Sequence, residues 1–198
     1  MLAMPDLDAP ASPGQIAAME RMLDDAMADG ALGLSSGVFY RQAYAANVEE
    51  LTALVKVVAR HGGLYATHIR DEMKGIIAAI EEAALTARLA GAPLVLSHHK
   101  CAGPANWGRT EETLPLIEKL ALEQPIGMDV YPYAAGSTVL REDLVDGVID
   151  ILITGSGPHP EMIGRHLKDV AALWGVSQVQ ACKRLQPGGG CYFQMRQD

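Results

Sequence analysis

Apolar residues recur along this chain in two alternating rhythms. Ile16, Met19, Leu23, Ala26 and Met27 fall at helical intervals behind Ser12-Pro13-Gly14-Gln15, which supplies a capping hydroxyl, a helix-starting proline and a box-completing glutamine. A helix is predicted there, ended by Gly30, and Ala31 to Leu34 then reads as a short buried strand that opens into a loop at Ser35-Ser36-Gly37. The alternation repeats. Glu49 to Arg60 carries an apolar face at Leu51, Leu54, Val55 and Val58, Gly62-Gly63 stops it, and Leu64 to Thr67 is the next strand. Gly75 to Ala90 is helical, Gly91-Ala92-Pro93 breaks it, and Leu94 to Leu96 follows as a strand; Glu111 to Leu122 is helical again, before a strand from Ile126 to Tyr131.

Four short apolar strands separated by helices, at a period of roughly thirty residues, imply parallel βαβ units in either a barrel or a doubly wound open sheet. No G-x-G-x-x-G or G-x-x-x-x-G-K-S/T segment follows any of these strands, which removes support from the nucleotide-binding open sheets. The barrel gains by elimination. Beyond Val139 the rhythm changes: Asp146 to Thr154 is one more candidate strand, and Pro158-His159-Pro160 a turn. Met162 to Trp174 and Ser177 to Leu185, with Ser177 as cap, read as a helical pair, and Gln186 to Cys191 as a Pro/Gly turn leading into Tyr192-Phe193.

Bulk properties narrow the class. The 198 residues suit one ordinary domain but fall short of the roughly 250 of a complete (β/α)8 barrel. A net charge of -8 without a local basic run argues against nucleic acid and anionic membranes as partners. No signal-peptide pattern and no membrane-length apolar stretch occurs, so a cytoplasmic chain is expected. Cys101, Cys182 and Cys191 are odd in number and lack C-x-x-C spacing, which predicts free thiols.

His68 and His98 each sit at the C-terminal end of a predicted strand in successive βα units, the edge where parallel α/β folds build their sites. Neighbouring strands lie roughly 4.8 Å apart, a gap that two imidazoles bound to one zinc ion can span. The same positions also suit ordinary polar strand-end residues. His99 alternates to the other side of its strand, and His61, His159 and His166 lie elsewhere; all four are read as structural or surface residues.

Taken together, Ala31 to Gly37 (ALGLSSG), Tyr65 to Glu72 (YATHIRDE), Ser97-His98-His99-Lys100, Asn106-Trp107-Gly108-Arg109, Asp129 to Tyr133 (DVYPY) with Gly136-Ser137-Thr138, and Pro158 to Glu161 resemble the D-aminoacylase (N-acyl-D-amino-acid deacylase) family of the amidohydrolase superfamily. The resemblance runs in order across nearly the whole chain. It implies a partial (β/α)8 TIM-type barrel, an α/β fold of about four consecutive βα units with a helical C-terminal segment, and zinc-dependent hydrolysis of the amide bond of N-acyl-D-amino acids to a carboxylate and a D-amino acid. By motif, His68 and His98 match zinc ligands, and Lys100, Tyr131 and Ser137 match substrate-binding positions. A cation suits a carboxylate, and hydroxyls suit an oxyanion. Arg70, Asp71 and Glu72 carry no assigned role.

Other parts of the family pattern are not found: the first strand with its closely spaced histidines, the cysteine zinc ligand, and the segment bearing the catalytic aspartate, expected beyond Asp198. The sequence is therefore expected to form, over residues 1–198, the central part of a catalytic barrel without its first strands and last strand. As an isolated chain it is expected to be inactive and to self-associate through exposed sheet edges. Two alternatives stand beside this reading: a non-catalytic barrel module, and a dihydroorotase-like cyclic amidase.

Overall fold

The computed structural model describes residues 6–196, which form two compact units, one of residues 6–101 with 108–131 and the other of 102–107 with 132–196. In the first unit the chain runs α1 (Pro13–Ala28), β1 (Gly33–Gly37), α2 (Arg41–Tyr44), α3 (Val48–Arg60), β2 (Leu64–His68), α4 (Ile76–Ala90), β3 (Leu94–Leu96), α5 (Thr110–Ala121) and β4 (Ile126–Met128). The strands make one parallel sheet in the order β1-β2-β3-β4. This is the α/β arrangement that the alternating rhythm predicts, with a helix between each pair of neighbouring strands.

Local chemistry accounts for these elements. Ser12 and Gln15 form the complete capping box of α1. Asn47 caps α3 through its side chain, and Gly91 closes α4 in the left-handed conformation. The core lies between the sheet and α4: Tyr65, Leu94 and Leu96 pack with Ile76, Ile80, Ala83 and Ala87. The small α4 residues let that helix lie close to the sheet.

The first strand spans 33–37, not 31–34 with a loop after it. Ser35 and Ser36 read as loop residues, yet the Ser36 hydroxyl lies 2.8 Å from both Tyr65 Oη and Thr67 Oγ1 of β2. These polar contacts across the ladder hold Ser36 in the strand, while Leu32 is left exposed. The fourth strand stops at Met128, earlier than the predicted Tyr131: Asp129 N–H still donates to Leu96 O at 3.1 Å, but His98 beyond β3 takes φ 42 and bonds the Asp129 carboxylate instead of continuing the ladder.

The second unit holds β5 (Gly136–Val139), β6 (Ile151–Ser156), α6 (Leu167–Trp174), α7 (Gln178–Leu185) and β7 (Gly188–Tyr192), with an antiparallel sheet in the order β5-β7-β6. Ser177 and Gln180 form a second capping box. Several local expectations shift. Asp146 Oδ1 accepts from the N–H groups of Val148 and Ile149 and keeps them out of the predicted strand. Gly164, at φ 84, separates a short 3-10 turn from α6, so the helix starts at Leu167 and not at Met162.

The Pro/Gly run expected to be a turn is instead the central strand of this sheet. A β-carbon on Gly188 would lie 2.4 Å from Gly155 O and 2.8 Å from Leu185 O, so the glycine permits a close backbone approach where sequence rules read a turn. Tyr192 at its end is fully buried, donates to Val139 O at 3.1 Å and accepts from Arg141 N at 3.1 Å. Burial pushes its phenol up to about 12. Ionisation of a tyrosine near 10 in the unfolded chain then draws the equilibrium toward unfolding; this contribution is fully present below pH 10 and is lost as pH rises toward 12. We expect Tyr192 to account for a loss of about 2–3 kcal/mol over that interval, so that Tyr192→Phe declines less by that amount. Urea melts of both proteins from pH 9.5 to 11.5 check this, and parallel declines would refute it.

All three cysteines are free. Among the described residues no helix is long and apolar enough to cross a membrane.

Candidate metal centre

His68 ends β2, and the chain doubles back just after it. Asp71 accepts from the N–H of Met73 at 2.6 Å and of Gly75 at 3.0 Å, forming a turn that returns Glu72 toward the strand end. On the neighbouring strand, His98 follows β3 with φ at 42, a left-handed conformation uncommon for a residue with a β-carbon. Asp129 holds it there: its carboxylate accepts from His98 N at 2.7 Å, and its carbonyl from His99 N at 2.8 Å. An observed backbone outlier pinned by a neighbouring strand is a mark of functional sites.

These two devices bring the side chains together. The imidazoles of His68 and His98 meet edge to face with centroids 4.4 Å apart. Glu72 Oε1 lies 3.5 Å from His68 Nε2 and 3.1 Å from His98 Nδ1, with only 6% of its side chain exposed. Among the described residues this is the cluster of three whose ligand atoms can hold a metal, all within 4.8 Å of one another. Four groups around one zinc at bond lengths of 2.0–2.1 Å stand roughly 3.4 Å from each other. The carboxylate-to-imidazole distances match that spacing, and two imidazoles with one carboxylate are a donor set suited to zinc. The residues fit.

Lys100 enters the same cluster. Its ammonium donates to Glu72 Oε1 at 2.5 Å and to His98 O at 3.0 Å, lies 2.9 Å from His98 Nδ1, and stands 5.5 Å from the centroid of the Tyr131 ring. Burial is the largest influence on both ionic partners. For Glu72 it pushes the pKa up, but His98, Lys100 and His68 together outweigh it and hold the carboxyl below its ordinary range. For Lys100 burial pushes the pKa down, and Glu72 only partly restores it.

Aromatic rings complete the surroundings of His68. Phe39 stacks on its imidazole at 4.9 Å, and Tyr40 lies at 5.1 Å, both from the loop after β1. Arg70 fastens that region: it pairs with Glu82 of α4 at 2.6 Å and donates to the carbonyls of Tyr44 and Ala46. Of the residues singled out from sequence, His68, His98, Lys100 and Tyr131 share this cluster, while Ser137 lies on β5 of the second unit, opposite Cys191 in register. His99 is buried against α5, its Nε2 2.9 Å from Thr113 Oγ1. His61 pairs with Asp24 and His159 with Glu161.

Glu72 was not assigned from sequence. An acid four residues after a strand-end histidine was the available signal, but the turn made by Asp71 is what aims it. Phe39 and Tyr40 carried no signal beyond being aromatic.

No protein-family model matches the chain. Over 192 residues it is 46% identical to a D-aminoacylase of Alcaligenes xylosoxydans xylosoxydans, a match covering 97% of this chain and 40% of that protein. An N-acyl-D-glutamate deacylase of the same organism is 43% identical, with 98% of this chain and 40% of the relative covered. The chain thus spans about two fifths of the length of these curated relatives. Among solved structures, a D-aminoacylase described as defining a novel subset of amidohydrolases superposes with a TM-score of 0.95 at 44% identity, covering 98% of this chain and 41% of that one. An N-acyl-D-glutamate deacylase of Bordetella bronchiseptica, in complex with zinc and a phosphonate mimic of the tetrahedral intermediate, gives 0.94 at 40% identity, with the same coverage of 98% and 41%. A further D-aminoacylase structure, at 44% identity and a TM-score of 0.94, again over 98% of this chain and 41% of that one, concerns a binuclear metal centre. In sequence and in fold, the chain is thus similar over nearly its whole length to D-aminoacylases and to N-acyl-D-glutamate deacylases.

Proposed function

We propose that this chain is part of a zinc-dependent amidohydrolase that cleaves the amide bond of N-acyl-D-amino acids, and that His68 and His98 hold the metal. The observation that supports this reading most directly is the convergence of His68, Glu72 and His98 at the C-terminal ends of adjacent parallel strands. The parallel sheet is read as part of a (β/α)8 barrel, whose sites lie at that same edge.

When bound, the metal supplies a Lewis acid that polarises the scissile carbonyl. Around it, the residues of this chain have separate tasks. Glu72 carries the negative charge that offsets a cation in a buried site. The Lys100 ammonium is suited to bind the substrate carboxylate, and the Tyr131 hydroxyl to donate to the carbonyl oxygen as charge develops. Ser137 takes a similar role on the resemblance alone. Phe39 and Tyr40 shield His68 from water, which strengthens electrostatic interactions at the site. No described residue is assigned as the general base that such hydrolysis needs, so the 198-residue chain supplied only with zinc should show little or no turnover.

A chimera tests the proposal. The matching segment of the Alcaligenes D-aminoacylase is exchanged for this chain, and N-acetyl-D-methionine and its L-enantiomer are offered. We expect hydrolysis of the D-form. A folded, zinc-loaded chimera that hydrolyses neither form, or cyclic amides only, would count against it.

A further inference from the structure

The Lys100 ammonium has the geometry of a competitor at the metal cluster. It donates to Glu72 Oε1 at 2.5 Å and stands 2.9 Å from His98 Nδ1, and so lies against two of the three residues that define the candidate metal position. Its side chain is 11% exposed and that of Glu72 is 6% exposed, so the pairing is shielded from solvent. A carboxylate lone pair on Glu72 that accepts from an ammonium is not at the same time given to a metal ion. A buried carboxylate close to one positive charge also gains less from a second, because the two cations repel.

We propose that Lys100 and the metal are alternative partners of Glu72 and His98, so that metal uptake expels the Lys100 ammonium from the cluster. This rests on the reading of His68, Glu72 and His98 as a metal centre and adds its regulation. Without metal, the lysine neutralises the buried carboxylate and keeps the two strand ends together. With metal, that role passes to the ion, and the ammonium is released toward Tyr131, whose ring centroid stands 5.5 Å away. The cation suited to a substrate carboxylate then becomes available only once the metal is in place. No bond is made or broken in the exchange beyond hydrogen bonds and coordination.

A positioning role for Lys100 predicts the opposite sign. If the lysine served only to orient Glu72 and His98, its removal would loosen the ligands and weaken metal binding. If it competes, removal strengthens binding. The experiment titrates the 198-residue chain, and its Lys100→Met, Lys100→Arg and Glu72→Gln variants, with zinc against a chromophoric chelator, and checks folding by circular dichroism.

We expect Lys100→Met to bind zinc at least about tenfold more tightly than the unchanged chain, a conservative figure for loss of one charge near the ion. Lys100→Arg, which keeps the charge, should show no gain, and Glu72→Gln should bind more weakly than either. Equal or weaker binding by a folded Lys100→Met variant, with zinc still taken up by the unchanged chain, overturns the competition and leaves the metal centre standing. Failure of every variant, Lys100→Met included, to take up zinc overturns both. Uptake by Lys100→Met alone upholds the competition in its strongest form.

Discussion

Replacing His68 or His98 by alanine should abolish stoichiometric zinc uptake by this chain. The unchanged chain is expected to retain about one equivalent after dialysis, and each single variant much less, with affinity reduced by more than about 100-fold, since even residues that merely orient a ligand cost 10–100-fold when removed. The expectation follows from how few donors converge here: His68, Glu72 and His98 are the cluster, and neither His61, His99 nor His159 stands in it. Atomic absorption on dialysed protein, with thermal melts to show that the variants fold, is the measurement. Zinc content unchanged in both variants would sink the proposed centre. The expected stability cost of these changes is small beside the binding effect, because each histidine side chain is partly exposed, His68 at 14% and His98 at 30%.

A single methyl group placed on Gly33 should be the most damaging small change to the sheet that carries this cluster. The added β-carbon would lie 2.0 Å from Leu64 O, 2.9 Å from Leu64 C and 3.0 Å from Leu64 N. All three are backbone atoms of the paired strand, Leu64 being the register partner of Gly33, so no side-chain rotation relieves the contact. The two strands must part at their start, which breaks the ladder that leads to His68. We expect Gly33→Ala to cost about 3 kcal/mol or more, above the usual range for a point substitution, and to weaken zinc binding through displacement of β2. Gly14→Ala, where nothing lies within 4 Å of the new carbon, is the control and should stay within about 1 kcal/mol of the unchanged chain. Coincident urea midpoints for Gly33→Ala and the control would refute the prediction.

The parallel sheet was legible because each buried strand is a short apolar run fenced by glycine or proline and followed by a helix with an apolar face. The strand-end placement of His68 and His98 followed from that rhythm. Three things were not legible, each for a physical reason. Ser36 looks like a loop residue until the Tyr65 and Thr67 hydroxyls are set beside it across the ladder. The glycines of β7 look like a turn because propensity counts backbone freedom and not the proximity of Gly155 and Leu185. Glu72 lay in plain view within His68-Ile69-Arg70-Asp71-Glu72, but a salt-bridged loop would carry the same letters. Only the turn made by Asp71 distinguishes the two.

The resemblance to D-aminoacylases supplied residue roles that pattern alone left open, and here too the structure adds detail. Lys100 matched a substrate-binding position, yet it is engaged with Glu72 and His98. The Tyr131 ring centroid stands 5.5 Å from that ammonium and 6.5 Å from the His98 ring. The cluster therefore joins residues that the family motif treats as separate tasks.

The left-handed backbone at His98 has one more consequence. It is fixed by Asp129 through two hydrogen bonds that involve no ion. In small zinc modules the ligands are unordered until the metal arrives, and the free energy of capture is spent on folding. Here β3 and β4 hold His98 in place without an ion, so in the proposed centre capture and release of a metal would be decoupled from the integrity of the sheet. A chelator would empty such a centre and leave the chain folded, ready to be charged again.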